Sequence, residues 1–212
     1  MRALPAGLAA LALAFGLARP AAAQDRPSFQ PARDVAIAYR VTAGPAAGRE
    51  LRMAWLAAAR KLRVDLPGEA GWTVVDQAAQ RVFLVLDQQR VAVELPAGGG
   101  PGGFNLPLQP PDSARFTRAG QERVAGLPCT LWRYADGPTQ GEACITADGV
   151  MLRSRGGQGE RGGAVEAVAV DYAPQDAARF QPPAGYRTMQ LPAGVLPPGG
   201  MPGGVPGASP GR

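Results

Sequence analysis

Residues Gly126–Arg153, GLPCTLWRYADGPTQGEACITADGVMLR, decide the fold. They hold the chain's two cysteines, and Cys129 and Cys144 stand symmetrically about Asp136-Gly137. Asp-Gly between strand-forming residues is a strong hairpin signal. Folding the segment there sets the thiols opposite one another on adjacent antiparallel strands, which predicts a Cys129–Cys144 disulfide. Closing a loop of this size is worth about 3 kcal/mol in the chain-entropy model, a large share of a small domain's stability. Redox-active pairs usually take the Cys-x-x-Cys spacing, whereas fourteen residues separate these two. The spacing therefore predicts a structural bond.

Outward from the hairpin, the N-terminus supports an oxidising destination. MRALPAGLAALALAFGLARPAAAQD carries an early Arg2, an apolar run from Leu8 to Leu17 and small residues at Ala21-Ala22-Ala23. This is the pattern of a cleaved secretory signal over residues 1–23. The run falls well short of the roughly 20 apolar residues that span a bilayer. With no cysteine directly after the cleavage site, the expected product is a soluble periplasmic or secreted chain beginning near Gln24. Oxidising compartments preserve disulfides, so the two expectations agree.

Charge and residue types exclude several functions. The chain has 22 basic and 17 acidic residues, and residues 1–23 account for two of the basic ones, Arg2 and Arg19. The arginines of the remainder are scattered among Ala, Gly and Pro, and a nucleic-acid surface or a polybasic membrane surface needs a patch or stripe. Histidine is absent. That removes Ser-His-Asp and Cys-His catalysis, histidine metal ligation and histidine-based pH switching. With both cysteines committed, a metal site would rest on carboxylates alone, and none of them forms an acid/base pair at a readable spacing. The expectation is no catalytic residue, no metal and no cofactor. GGGPGG and RGGQGERGG lack the GxxxxGK[ST] arrangement of a phosphate-binding loop and read as loops.

Period-two alternation marks the other elements. After a polar lead-in at 24–33, Val35, Ile37, Tyr39 and Val41 alternate with Ala36, Ala38 and Arg40. Leu51, Met53 and Trp55 then alternate with Glu50, Arg52 and Ala54, and Leu62, Val64 and Leu66 with Lys61, Arg63 and Asp65. A turn near Ala57–Arg60 joins the last two strands, although the composition LAAARKL also permits a helix. Trp72–Asp76, Val82–Leu86 and Val91–Leu95 continue as a meander with short polar connections. Val82–Leu86 is apolar on both faces, so it is either covered twice or lines a cavity on one side. Gly98–Asp112 is a Gly/Pro break, a surface loop or a flap. Beyond the hairpin come strands at Met151–Arg155 and Ala164–Tyr172, then an irregular segment in which Phe180 and Tyr186 anchor onto the sheet. Residues 192–212 hold six Pro and seven Gly and are expected to be disordered. One domain, 34–191, is expected.

Met53, Trp55, Trp72, Phe83 and Trp132 are large apolar residues of the central strands. They are candidates either to line a hydrophobic ligand cavity or to fill the core.

Several phrases resemble a known family: WTVVDQAAQRVFLVLDQQR, GQERVAGLPCTLWRY, ACITADGVMLRS, and VDYAPQDAARFQPPAGYRTM with its F-x-P-P-A-G-Y ending. They are similar to a bacterial periplasmic family of unknown function whose members take a lipoprotein-carrier-like (LolA/LolB-type) half-barrel. The likeness covers roughly Asp34–Met189. It implies a mainly β fold with little helix: a curved antiparallel sheet around a hydrophobic interior. It supplies no catalytic residues. Carriers place helices across the barrel mouth, where this chain has a Pro/Gly-rich segment before Phe116. Two functions are expected from different classes. One is a non-catalytic exported protein holding a lipid, lipidated segment or other hydrophobic ligand in the concave face. The other is an envelope interaction or scaffold protein with a filled core.

Overall fold

The structure, a computed structural model, describes residues 26–44, 46–65, 71–96, 113–158 and 161–190. The signal segment expected at 1–23, the Gly/Pro break at 98–112 and the tail expected at 192–212 lie outside these residues. Among the described residues the strands are β1 (Val35–Ala43), β2 (Glu50–Leu56), β3 (Lys61–Asp65), β4 (Trp72–Asp76), β5 (Arg81–Leu86) and β6 (Val91–Pro96). They continue with β7 (Arg115–Val124), β8 (Leu127–Asp136), β9 (Thr139–Ile145), β10 (Met151–Gln158), β11 (Arg161–Asp171) and β12 (Arg187–Gln190). All belong to one sheet, in the order β12-β6-β5-β4-β3-β2-β1-β11-β10-β9-β8-β7. Neighbours are antiparallel except β12, which runs parallel to β6. The sheet is curved and does not close. The curvature shows in an ion pair between Glu122 on β7 and Arg153 on β10, two strands of the sheet that are separated by β8 and β9.

The meander forms as its alternation predicts, and the Ala-rich connection is a turn. Ala57–Arg60, and likewise residues 77–80 and 87–90, are four-residue turns closing β2–β3, β4–β5 and β5–β6. The last residue of each, Arg60, Gln80 and Arg90, is left-handed, with φ of 51°, 53° and 52°. The repeated turn fixes register so that β2–β5 place matching rows on each face. One face of β1–β5 carries Val35, Ile37, Tyr39, Trp55, Leu62, Val64, Val75 and Val82 into the principal core, together with Cys129, Cys144 and Leu152 from the other half of the sheet. The opposite face carries Ala54, Leu56, Trp72, Val74, Val85 and Ala92, closed over by Phe180 and Tyr186. The doubly apolar strand is therefore covered on both sides: Val82 and Leu84 are 4% and 6% exposed on one face, Val85 0% on the other.

The disulfide is present, with a Cα–Cα distance of 5.4 Å, but its geometry corrects the simple symmetry. The expected two-residue turn at Asp136-Gly137 would set Cys129 directly opposite Cys144, but the turn forms one residue later. The turn residues are Gly137 and Pro138, since Asp136 pairs with Thr139. That displaces the register by two, so Cys144 faces Leu131 and bonds Cys129 diagonally.

Three further segments depart from expectation. RFTRAGQERV is a full strand, β7, paired along β8; its pattern is blurred because seven of its ten residues are exposed. GGQGERGG is largely ladder rather than loop, with Gly156 and Gly157 opposite Gly163 and Gly162. Tyr134 explains how glycines hold a strand here. A Cβ added at Gly141 or Gly156 would lie 2.5 Å from Tyr134 ring or hydroxyl atoms, so the bare backbone is the bed of that aromatic ring. Lastly, the segment after β11 is more ordered than an irregular anchor. It forms a 3-10 turn, Ala177–Phe180, capped by Asp176, buries Phe180 to 1% exposure and ends in β12.

Candidate functional site

The five candidate cavity residues do not converge on one space. Met53 and Trp55 lie on the principal-core face, where the Trp55 indole donates to Pro31 O at 2.8 Å. Trp72 lies on the opposite face in the Phe180 cluster, with the Arg63 guanidinium 4.1 Å from its ring centroid. Phe83 shares that face, opposite Val74, under the Arg81 guanidinium at 5.8 Å. Trp132 belongs to a separate cluster with Ala143, Ile145, Phe29, Phe116 and Met151. The three tryptophans are 4–5% exposed, each packed by different neighbours.

Open space lies elsewhere, in a groove of about 810 Å³ beside the disulfide. It is lined by the apolar or aromatic Leu127, Pro128, Cys129, Ala147 and Tyr172 and by the polar Arg33, Gln121, Glu122, Arg123 and Asp148. Four parts of the chain build it: the lead-in, the β7–β8 hairpin, the turn after β9 and the end of β11. The turn is held from within, since Thr146 N donates to Val150 O at 2.9 Å and Val150 N donates to Thr146 Oγ1 at 2.9 Å. The lead-in is pinned to it by Ala32 N donating to Asp148 O at 2.8 Å.

Asp148 organises one wall. Its carboxylate accepts from Arg33 Nε at 3.1 Å, from the Thr146 hydroxyl and from the Tyr172 hydroxyl at 3.4 Å. The Arg33 guanidinium also lies 3.7 Å from the Tyr172 ring centroid, a cation–π contact. Burial alone would push the Asp148 carboxyl up; the Thr146 and Arg33 hydrogen bonds outweigh it and hold the group below its ordinary value. Burial and the Asp148 charge push the Tyr172 phenol up. Across the groove Glu122 is paired to Arg153, and Arg123 donates to Gly126 O at 2.6 Å. The arrangement offers apolar area, fixed charges and an open approach, which suits binding. Its acids are occupied in ion pairs.

Of this site the sequence marks only Cys129 and Cys144. Arg33, Tyr172 and Glu122 come together through topology, since β1 lies beside β11 and the sheet rolls β7 toward β10, and no local spacing encodes that.

No protein-family model matches the sequence, and no curated protein does. Solved structures do. An uncharacterised conserved protein from Thermus thermophilus is 14% identical over 76% of this chain and 91% of that one, with a TM-score of 0.52. The likeness is one of fold. PNGF-II is 11% identical with a TM-score of 0.50, over 77% of this chain but 32% of that one, so the chain spans about a third of its length. A domain from Vibrio parahaemolyticus named for outer membrane lipoprotein sorting is 9% identical over 70% of this chain and 89% of that one, with a TM-score of 0.39. Among the described residues no helix is long and apolar enough to cross a membrane.

Proposed function

We propose that this chain is a non-catalytic module of the bacterial envelope that binds another protein through the groove beside the disulfide and the neighbouring edge of the sheet. The observation that carries this is the division of space. Side chains suited to a lipid chamber are engaged in separate packed clusters, while the groove beside the disulfide is lined by apolar and charged side chains together. Protein–protein contact surfaces combine apolar and polar side chains in this way. The secretory pattern at 1–23 and the disulfide support an envelope location.

Carriage of a lipid or lipidated segment is the competing function. It needs Met53, Trp55, Trp72, Phe83 and Trp132, or a subset of them, around a common chamber. Native mass spectrometry of the full-length protein released from the periplasm separates the two. The expected spectrum is the bare polypeptide mass; a stoichiometric lipid adduct that survives purification overturns the proposal.

A further inference from the structure

One of the two edges of the sheet among the described residues, β7, is basic. β7 carries Arg115, Arg118 and Arg123 against one acid, Glu122, which is already paired to Arg153. Among the described residues no carboxylate pairs with Arg123, whose guanidinium donates to the Gly126 carbonyl. Residues 117–121 are all exposed, and of these Arg118 lies with its guanidinium 4.9 Å from the Trp132 ring centroid. In the sheet order β8 lies on one side of β7, and among the described residues no strand lies on the other. Such an edge presents a row of N–H and C=O groups that an extended chain can pair as an added strand. The ladder is interrupted once, by the register shift at Gly120. At the C-terminal end of β7 the groove begins, with Leu127 and Tyr172 among the residues that line it.

We propose that β7 takes up an extended acidic segment of a partner protein as an added strand, with an acidic side chain against Arg123 and one apolar side chain seated in the groove on Leu127 and Tyr172. This rests on the protein-binding function above and supplies the chemistry of the partner. Main-chain pairing provides the contact; the arginines select the charge.

Phage-displayed random dodecapeptides selected against the immobilised full-length protein test it. The expected winners alternate Asp or Glu with apolar residues. A synthetic winner is expected to slow amide exchange across residues 115–124 and to lose affinity as salt rises. Arg115→Glu with Arg123→Glu is expected to weaken it at least about tenfold, the scale of a lost charge-assisted contact. Arg115→Lys with Arg123→Lys retains most of the binding, and unchanged thermal melting shows that both variants fold. Neutral or basic winners, or protection confined to other strands, overturn the acidic-strand proposal and leave protein binding standing. No enriched peptide, together with arginine-dependent binding to phosphatidylglycerol vesicles, overturns both. Self-association through β7, seen by sedimentation and abolished by the Glu variant, overturns it in favour of an edge that pairs with its own copy.

Discussion

Thr73 is 2% exposed on β4, between Val64 and Leu84 on the adjoining strands, and its hydroxyl has no hydrogen-bond partner among the described residues. A buried hydroxyl without a partner costs about 1–3 kcal/mol. Thr73→Val keeps the shape and removes the cost, so the urea midpoint is expected to rise by the equivalent of about 1 kcal/mol; a fall would show that the hydroxyl has a partner in solution. Asp76 is the contrasting case. Burial alone would push its carboxyl up, but the Ala79 amide, Lys61 and Arg81 outweigh that and hold it below its ordinary value. A carboxyl depressed on folding stabilises the protein at pH values above its unfolded value, near about 3.9, and that contribution is lost as pH falls through the folded value. Asp76→Asn is therefore expected to lower stability at neutral pH and to flatten its acid dependence, read from urea melts between neutral and strongly acid pH. Tyr39 acts at the other end. Burial pushes its phenol well above its ordinary value, and the hydroxyl donates to Met151 O at 2.6 Å. Its contribution is complete below the ordinary tyrosine value and is lost as pH rises beyond it.

At the scale of elements, the C-terminal strap and the disulfide hairpin carry separable loads. Phe180→Ala opens the cluster of Trp72, Val74, Val85 and Ala92 and is expected to cost about 3–5 kcal/mol, the range for a fully buried phenylalanine, measured by urea unfolding. Cys129→Ser with Cys144→Ser is expected to cost about 3 kcal/mol. A near-zero loss would mean that the two-residue Gly137-Pro138 turn already closes the hairpin in the unfolded chain. These elements also mark where reading the sequence stops. β1 to β3 are legible because each has one dominant period, and β4 to β6 because short polar turns bound each apolar run. β7 is not, since Thr117 to Gln121 are all exposed and leave no period to read. Gly156 reads as part of a loop because what it packs against is Tyr134, a residue two strands away in the sheet. β12 adds four residues that are all exposed, and its position depends on the Arg187 amide reaching Arg90 O. In the groove, Arg33, Asp148 and Tyr172 are strand-end residues of ordinary type, and only the juxtaposition of β1 with β11 makes them a site.

For the molecule as a whole, the placement of the first strand has a consequence for how the chain comes to be folded. β1 lies in the middle of the sheet, with β2 on one side and β11 on the other, pairing Ile37 with Val170 and Tyr39 with Ala167. As synthesis proceeds from the N-terminus, β1 to β6 can assemble while β1 keeps one bare flank. That flank waits until residues near the C-terminus emerge. Pairing so distant in sequence is slow, because loop-closure entropy opposes it before contacts compensate. Refolding from urea is expected in the millisecond-to-second range typical of all-β topologies, and a chain cut after Gln158 is expected to associate on size-exclusion chromatography. The nascent polypeptide thus carries a temporary adhesive seam, and a cell making it has reason to shield that seam with a holding chaperone until the eleventh strand arrives.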